Sequence, residues 1–298
     1  MLNKPVVILD APSNLGLMQL NPDFEPGVYQ MPNALRRAGL VERLSAVDAG
    51  AVERLPYTGA IDPVTQVRNA PALADYAQTL ASAITDILEA DQFPLVLGGD
   101  CSILLSAGLA LKPRGRYGLL FIDGHADFLQ PETSMTKGAA GMDLALVTGN
   151  GPEQLTNIHG LKPYFREEDV ILFGNRDIDD EVSTPQKLLF STDVTFYTLA
   201  HLRTFGLVEY SHAVLKQFAD LDGFWVHVDC DVLDSDLMPA VDSPMPDGFS
   251  YDELRDVLSI VLKSPHVMGL QLTIYDPDKD HDGRYAQKLV EVLSDACT

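Results

Sequence analysis

Short runs rich in β-branched and aromatic residues recur along the chain, separated by stretches with helical spacing. They are VVIL at 6–9, LVLG at 95–98, GLLFID at 118–123, VILFG at 170–174, VTFY at 194–197, FWVHVD at 224–229 and VMGLQLTIY at 267–275. Most are apolar throughout rather than alternating, the pattern of strands covered on both faces, as in a parallel sheet. Between them, Leu73, Tyr76, Ala77, Leu80, Ala81, Ile84 and Leu88 keep three- and four-residue spacing, which predicts a helix over 72–90 with one buried stripe. Further helices are predicted over 101–112, 206–219, 251–264 and 284–296. Strand and helix in alternation predict an α/β fold, a mainly parallel sheet sandwiched by helices. No repeat or Pro/Gly/Ser linker interrupts the 298 residues, and 46% hydrophobic content suffices for one core, so 1–298 is read as one domain.

The net charge is −22 and the sequence pI about 4.4. Phosphates would be repelled, which argues against nucleic acid and anionic membranes as partners. The acidity suits a cationic substrate or a metal, as well as a plain solvated surface. Three cysteines, Cys101, Cys230 and Cys297, without regular spacing fit a reducing compartment rather than a disulfide framework. The first residues hold one short apolar run and no signal-peptide pattern, and no run is long enough to span a bilayer. A soluble, cytoplasmic protein is expected.

In sheets of this kind ligands bind beyond the carboxyl ends of the strands, and three strand ends carry chemistry. In FIDGHADF at 121–128, Asp123, His125 and Asp127 stand at alternate positions. If the chain stays extended there, all three leave on one side, a set suited to Mn²⁺, Zn²⁺ or Fe²⁺; a capped turn is the structural alternative. In VHVDCDVLDSD at 226–236, Asp229 and Asp231 repeat the two-residue spacing, and two carboxylates on one face repel unless a cation or proton lies between them. Helix capping is the alternative for this pair. His227 and Cys230 are read as lying off that face, with Cys230 as packing. In GGDC at 98–101, Cys101 ends a strand in the same way. Cys101, Asp123, His125, Asp127, Asp229 and Asp231 make six donors, enough with two bridging for a two-metal site holding a hydroxide nucleophile.

GGD-x, then DGHAD, then D-x-D with PAVDSPMPDG, resembles the ureohydrolases: arginases, agmatinases, formiminoglutamases and guanidinobutyrases. The likeness runs from PGVYQMPNALRRAGL at 26–40 through FGNRDID at 173–179 to YDP at 275–277. It implies a three-layer α-β-α sandwich with a mainly parallel eight-stranded sheet, two Mn²⁺ ions, and hydrolysis of a C–N bond in a guanidino or related amidino or formimino compound. It also implies homo-oligomers, trimers or hexamers, and makes Asp123 and Asp229 the bridging carboxylates. The departures are specific. The family's GGD is usually followed by a histidine ligand, here Cys101. Ala140 stands where a histidine usually transfers protons, and Ile274 where a glutamate usually holds the guanidinium. Leu129 replaces the asparagine with which arginases hold the amino-acid end, and Ser243 replaces a threonine. A plain arginase is therefore not expected.

Cys101 has three readings. As a thiolate ligand it makes Zn²⁺ or Fe²⁺ more competitive with Mn²⁺. As a nucleophile it would use the start of the 101–112 helix and His125 as base. As an inert residue it would leave a non-catalytic metal- or ligand-binding protein. The ligand reading is the one taken here, because the nucleophile leaves five ligands unexplained. His125 and Asp127 are the catalytic candidates at the strand end. With Ala140 unable to donate a proton, Glu132 and Asp143 are candidates for the acid, against an exposed loop residue and a helix cap respectively. Asp177 and Asp179, where relatives contact the far end of the substrate, and Ser243 are the substrate-binding candidates.

Overall fold

The computed structural model describes residues 2, 4–178 and 185–297. Its eight strands among the described residues are β1 Val6–Ala11, β2 Val47–Ala51, β3 Phe93–Gly98, β4 Tyr117–Ile122, β5 Val170–Phe173, β6 Thr195–Tyr197, β7 Gly223–Asp229 and β8 Val267–Thr273. They form one sheet in the order β2-β1-β3-β8-β7-β4-β5-β6, every neighbouring pair parallel. The expected mainly parallel, eight-stranded sheet is thus wholly parallel. Seven strands fall on the seven runs. β2 does not: VDAGA is exposed at every position and lies on the sheet edge, so no burial pattern marks it.

The helices are α1 Met31–Arg37, α2 Leu40–Leu44, α3 Ala70–Glu89, α4 Leu104–Leu111, α5 Asp143–Val147, α6 Glu153–Thr156, α7 Leu199–Phe205, α8 Leu207–Gln217, α9 Tyr251–Val261 and α10 Arg284–Cys297. Helix α3 buries the predicted stripe, with Ala70 and Ile87 added. Helix α9 begins with a reciprocal cap in which Ser250 accepts from the Glu253 N–H and Glu253 accepts from that of Ser250. The chain entering α4 makes a 3-10 turn over Cys101–Ile103 before the α-helix proper.

Successive strand residues alternate between two cores. Ile8, Leu95, Leu97, Leu120, Ile122, Val226 and Val228 pack with α1, α9 and α10 on one face. Val7, Leu9, Val96, Leu119, Phe121 and Trp225 pack with α3, α4 and α5 on the other. These are the three layers predicted. No helix among the described residues is long and apolar enough to cross a membrane.

Register then sets the site. Ile122 lies beside Val228, and Leu97 beside Leu272, so the chain leaves β3, β8, β7 and β4 at one level. Gly99 lets it do so. A Cβ there would lie 1.6 Å from the Ser13 carbonyl oxygen, where the Asp100 N–H docks at 3.1 Å. The second glycine of GGDC is a close-approach residue.

Candidate metal centre

The same local device closes three strand ends. Asp100 accepts from the Ser102 N–H at 2.9 Å, Asp123 from His125 at 2.6 Å and Asp229 from Asp231 at 2.7 Å, each two residues on. This is the Asx turn that aspartate favours, so the capping alternative raised for Asp229 and Asp231 is half correct. Only one oxygen of each carboxylate caps. Asp100 spends its second oxygen on the Ser13 hydroxyl at 2.9 Å and is structural. Asp123 and Asp229 point theirs into a shared space: Oδ2 of Asp229 lies 2.7 Å from Sγ of Cys101, and Oδ2 of Asp123 is buried without a partner.

The chain does not stay extended through Asp123–Asp127 as the spacing argument required. It bends at Gly124 and His125, and Asp127 takes a left-handed φ of 44°, a conformation aspartate tolerates. The convergence survives because the bend, and not the pleat, turns the side chains together.

Donor atoms fall into three overlapping sets, each within 4.8 Å: Cys101, Asp123, His227 and Asp229; Cys101, Asp127 and Asp143; Asp123, His125 and Asp231. All six residues expected as ligands are in these sets. Asp143, expected as a proton donor, joins them with its side chain buried and Oδ2 unpartnered. His227 was misread. It stands two residues before Asp229 and so shares its face, and its Nε2 lies 4.0 Å from Oδ2 of Asp123. Residue parity alone would have found it. Cys230 packs in the core as expected.

The tautomer of His227 follows from its neighbours. The indole N–H of Trp225 can only donate, and it donates to Oε1 of Gln271 at 2.9 Å. The amide NH₂ of Gln271 therefore faces Nδ1 of His227 at 2.8 Å and donates to it. Burial drives the His227 imidazolium down to about 3, so the ring is neutral and its proton sits on Nε2, facing Asp123. A ring fixed this way turns an N–H, and not a lone pair, toward the carboxylates, although at 4.0 Å it makes no hydrogen bond to Asp123.

Charge is unevenly distributed. Nδ1 of His125 pairs with Asp231 at 2.9 Å. Burial opposes the imidazolium, but Asp231 and Asp123 more than offset it and hold His125 above its ordinary value. Burial likewise works against Asp231, which His125 nonetheless holds below the usual carboxylate range. The guanidinium of Arg176 donates to the carbonyls of Asp231, Val232, Leu233, Met245 and Pro246, clamping the turn after β7. This role for the arginine of FGNRDID was not visible in the sequence. On the other side, burial, reinforced by neighbouring carboxylates, pushes Asp127, Asp143, Asp229 and the Cys101 thiol well up. Packed carboxylates with open buried oxygens and no cation are unfavourable as they stand, and they fit a divalent ion.

Above the donors lies a cleft of about 260 Å³ lined by Cys101, His125, Asp127, Asp229 and Asp231, with Leu129, Ala140, Asp177, Asp242, Ser243 and Ile274 around them. Of the substrate-binding candidates, Asp177 is held in part by Gln186, Ser243 is exposed at the mouth, and Asp179 lies outside the described residues. Glu132 is exposed on its loop and is not among the lining residues. Ile274 is 3% exposed and has a φ of 72°, a left-handed backbone that is strained for a β-branched residue.

A parallel sheet whose adjoining central strands end in carboxylates, an imidazole and a thiol defines an α/β protein with a candidate metal centre. The chain belongs to the Arginase family, whose model matches residues 4–298. It is 30% identical to the arginase of Bacillus caldovelox over 97% of both chains, and 29% identical to that of Bacillus subtilis over 98% of this chain and 97% of the other. The solved arginase structure from Bacillus caldovelox superposes with a TM-score of 0.88 at 26% identity, covering 99% of this chain and 98% of that one. The proclavaminate amidino hydrolase of Streptomyces clavuligerus has the same fold, with a TM-score of 0.72 at 18% identity over 100% and 91% of the chains. The fold is the arginase-like α/β fold.

Proposed function

We propose that the protein is a metal-dependent hydrolase of a linear C–N bond in a small guanidino, amidino or formimino compound, using two divalent ions. Cys101, Asp123, His125, Asp127, Asp229 and Asp231 would hold them, with Asp123 and Asp229 shared. The observation that carries this reading is the division of labour in those two aspartates, one oxygen capping the turn and the other aimed into the cluster. When bound, the ions supply Lewis acidity and an activated water for attack on an electron-poor carbon. Mn²⁺ is the first expectation from the family, and the thiol of Cys101 makes Zn²⁺ or Fe²⁺ competitive.

The chain's own residues then bind and orient the substrate. Asp177 and Ser243, with Asp179, would take its polar far end, and Asp242, buried enough to raise its carboxyl, adds acceptor capacity at the mouth. Leu129, Ala140 and Ile274 present apolar surface where arginases carry substrate contacts, so L-arginine itself is disfavoured. A cysteine nucleophile is also disfavoured. The Cys101 thiol donates to Asp229, and Nδ1 of His125, the expected base, is paired with Asp231. Association into trimers or hexamers is expected by similarity.

The test is metal content and turnover measured together, on protein purified without chelator and assayed against guanidino, formimino and hydroxyguanidino compounds. About two ions per chain with turnover that chelation removes supports the reading. Full turnover in metal-free protein would overturn it.

A further inference from the structure

We propose that Asp143 is a metal ligand, completing with Cys101 and Asp127 a thiolate–carboxylate position for one of the two ions. The inference rests on the two-ion reading above and adds a donor that this reading does not contain.

Asp143 is the first residue of α5, where an aspartate is commonplace as a cap. Its Oδ1 does accept the Leu144 N–H at 2.8 Å. Its Oδ2 has no partner, although the residue is 0% exposed. A donor oxygen of this carboxylate lies within 4.8 Å of both the Cys101 sulfur and an Asp127 oxygen. The Cys101 sulfur is in turn 2.7 Å from Oδ2 of Asp229. Among the described residues no basic side chain forms an ion pair with Asp127, Asp143 or Asp229. A buried carboxylate that has surrendered water for no hydrogen bond is poorly tolerated unless a cation or proton arrives.

Elimination strengthens the assignment. With a thiol at 101, the only imidazole in the sets containing Cys101 is that of His227. The Trp225–Gln271–His227 chain puts its proton on Nε2, which leaves no lone pair for a metal. Beyond the donors already assigned, the one left in these sets is Asp143. One thiolate with carboxylates favours Zn²⁺ or Fe²⁺ over an all-oxygen preference for Mn²⁺.

The experiment is a Co²⁺ titration of metal-free wild type, Cys101→Ser, Asp143→Asn and Asp143→Glu, followed by the near-ultraviolet thiolate-to-cobalt charge-transfer band and by equilibrium metal content. Wild type is expected to show the band, and Cys101→Ser to lose it. Asp143→Asn should weaken the band-bearing ion by roughly 100-fold, since losing even outer-shell partners costs 10–100-fold, while the second ion binds as before. A wild type that binds Co²⁺ without the band would overturn the ligand role of Cys101 and the thiolate–carboxylate position with it, whereas a wild type that binds no Co²⁺ would overturn the two-ion reading. A band and affinities unchanged in Asp143→Asn, even with turnover lost, would overturn only the present proposal and return Asp143 to the role of proton donor. If Asp143→Asn does not fold by Trp225 fluorescence, Asp143→Glu decides. A displaced carboxylate must shift the cobalt spectrum and weaken that ion, and an unchanged titration overturns the proposal.

Discussion

The two halves of the candidate centre solve the burial of charge differently. Around Asp231 the protein supplies its own cation: His125 pairs with it at 2.9 Å, and the guanidinium of Arg176 spans the carbonyls of the same turn. Around Cys101 there is none. Asp127, Asp143 and Asp229 crowd a buried thiol, and burial raises all four. The first half is close to closed without help, while the second is held open for something positive. This asymmetry distinguishes a structural ion pair from a cluster of like charges suited to a cation, although both are made largely of the same residue types.

The comparison can be broken most severely at the two carboxylates proposed above to be shared between the ions. Asp123→Ala or Asp229→Ala should remove tight metal binding and cut turnover at least about a thousandfold, several kcal/mol of transition-state stabilisation, read by metal analysis and steady-state kinetics. Next, His125→Asn in metal-free protein should lower unfolding free energy by about 3 kcal/mol, because it strands Asp231 as a buried unpaired charge. Denaturant melts of the chelated protein check this.

Acidity separates the halves again. Asp123, Asp127, Asp143 and Asp229 titrate higher when folded than when unfolded, Asp123 at about 8. The folded state therefore takes up protons more readily, and the associated stability, complete below about pH 4, is lost as pH rises towards about 8. His125, raised when folded, works in the same direction above its unfolded value; His227, lowered to about 3, opposes it up to its ordinary value of 6.5, and Asp231, lowered when folded, opposes it only below the ordinary carboxylate range. Metal-free protein should accordingly lose about 2 kcal/mol between pH 6.5, where the opposing titration of His227 is complete, and pH 8, while bound metal flattens the profile. Thermal melts with and without chelator across that range would show it, and a metal-free protein that gained stability with pH would contradict the open-half description. Asp143→Asn sharpens the contrast with opposite sign. In chelated protein at neutral pH it should stabilise by about 1 kcal/mol, since a carboxylate with an open oxygen is replaced by a neutral isostere. An effect of similar size is expected at His227→Phe, which removes the N–H facing Asp123 and should weaken metal binding roughly tenfold, about 1.4 kcal/mol, with little change in fold. Isothermal titration is the measurement.

The core of the fold was legible because buried parallel strands and a one-sided helix print their environment on every residue, as β4 and α3 do. Strand β2 was not legible, because VDAGA on an exposed edge has nothing to bury. At the centre, the D-x-H-x-D and D-x-D spacings announced side chains whose donor atoms converge, although the reason offered for the first, an extended chain, fails at the left-handed Asp127. His227 was legible in principle by parity with Asp229 and was overlooked. Asp143 was legible as a candidate acid or a cap but not as a member of the donor cluster, because nothing local distinguishes a first-turn aspartate that faces water from one that faces a thiol.

What the sequence determined by itself is therefore what short-range chemistry can encode: which runs are buried strands, which aspartates close turns on the residue two positions later, and which kinds of donor stand at each strand end. What only the tertiary structure decided is which of those donors meet. Cys101 and Asp229 are separated by 128 positions, and their contact exists because the sheet orders β3, β8, β7 and β4 side by side in one register. The same assembly gave His125 a counter-charge and withheld one from Asp143. Coulomb energy and desolvation depend on distance in space and on burial, which no interval along a chain specifies.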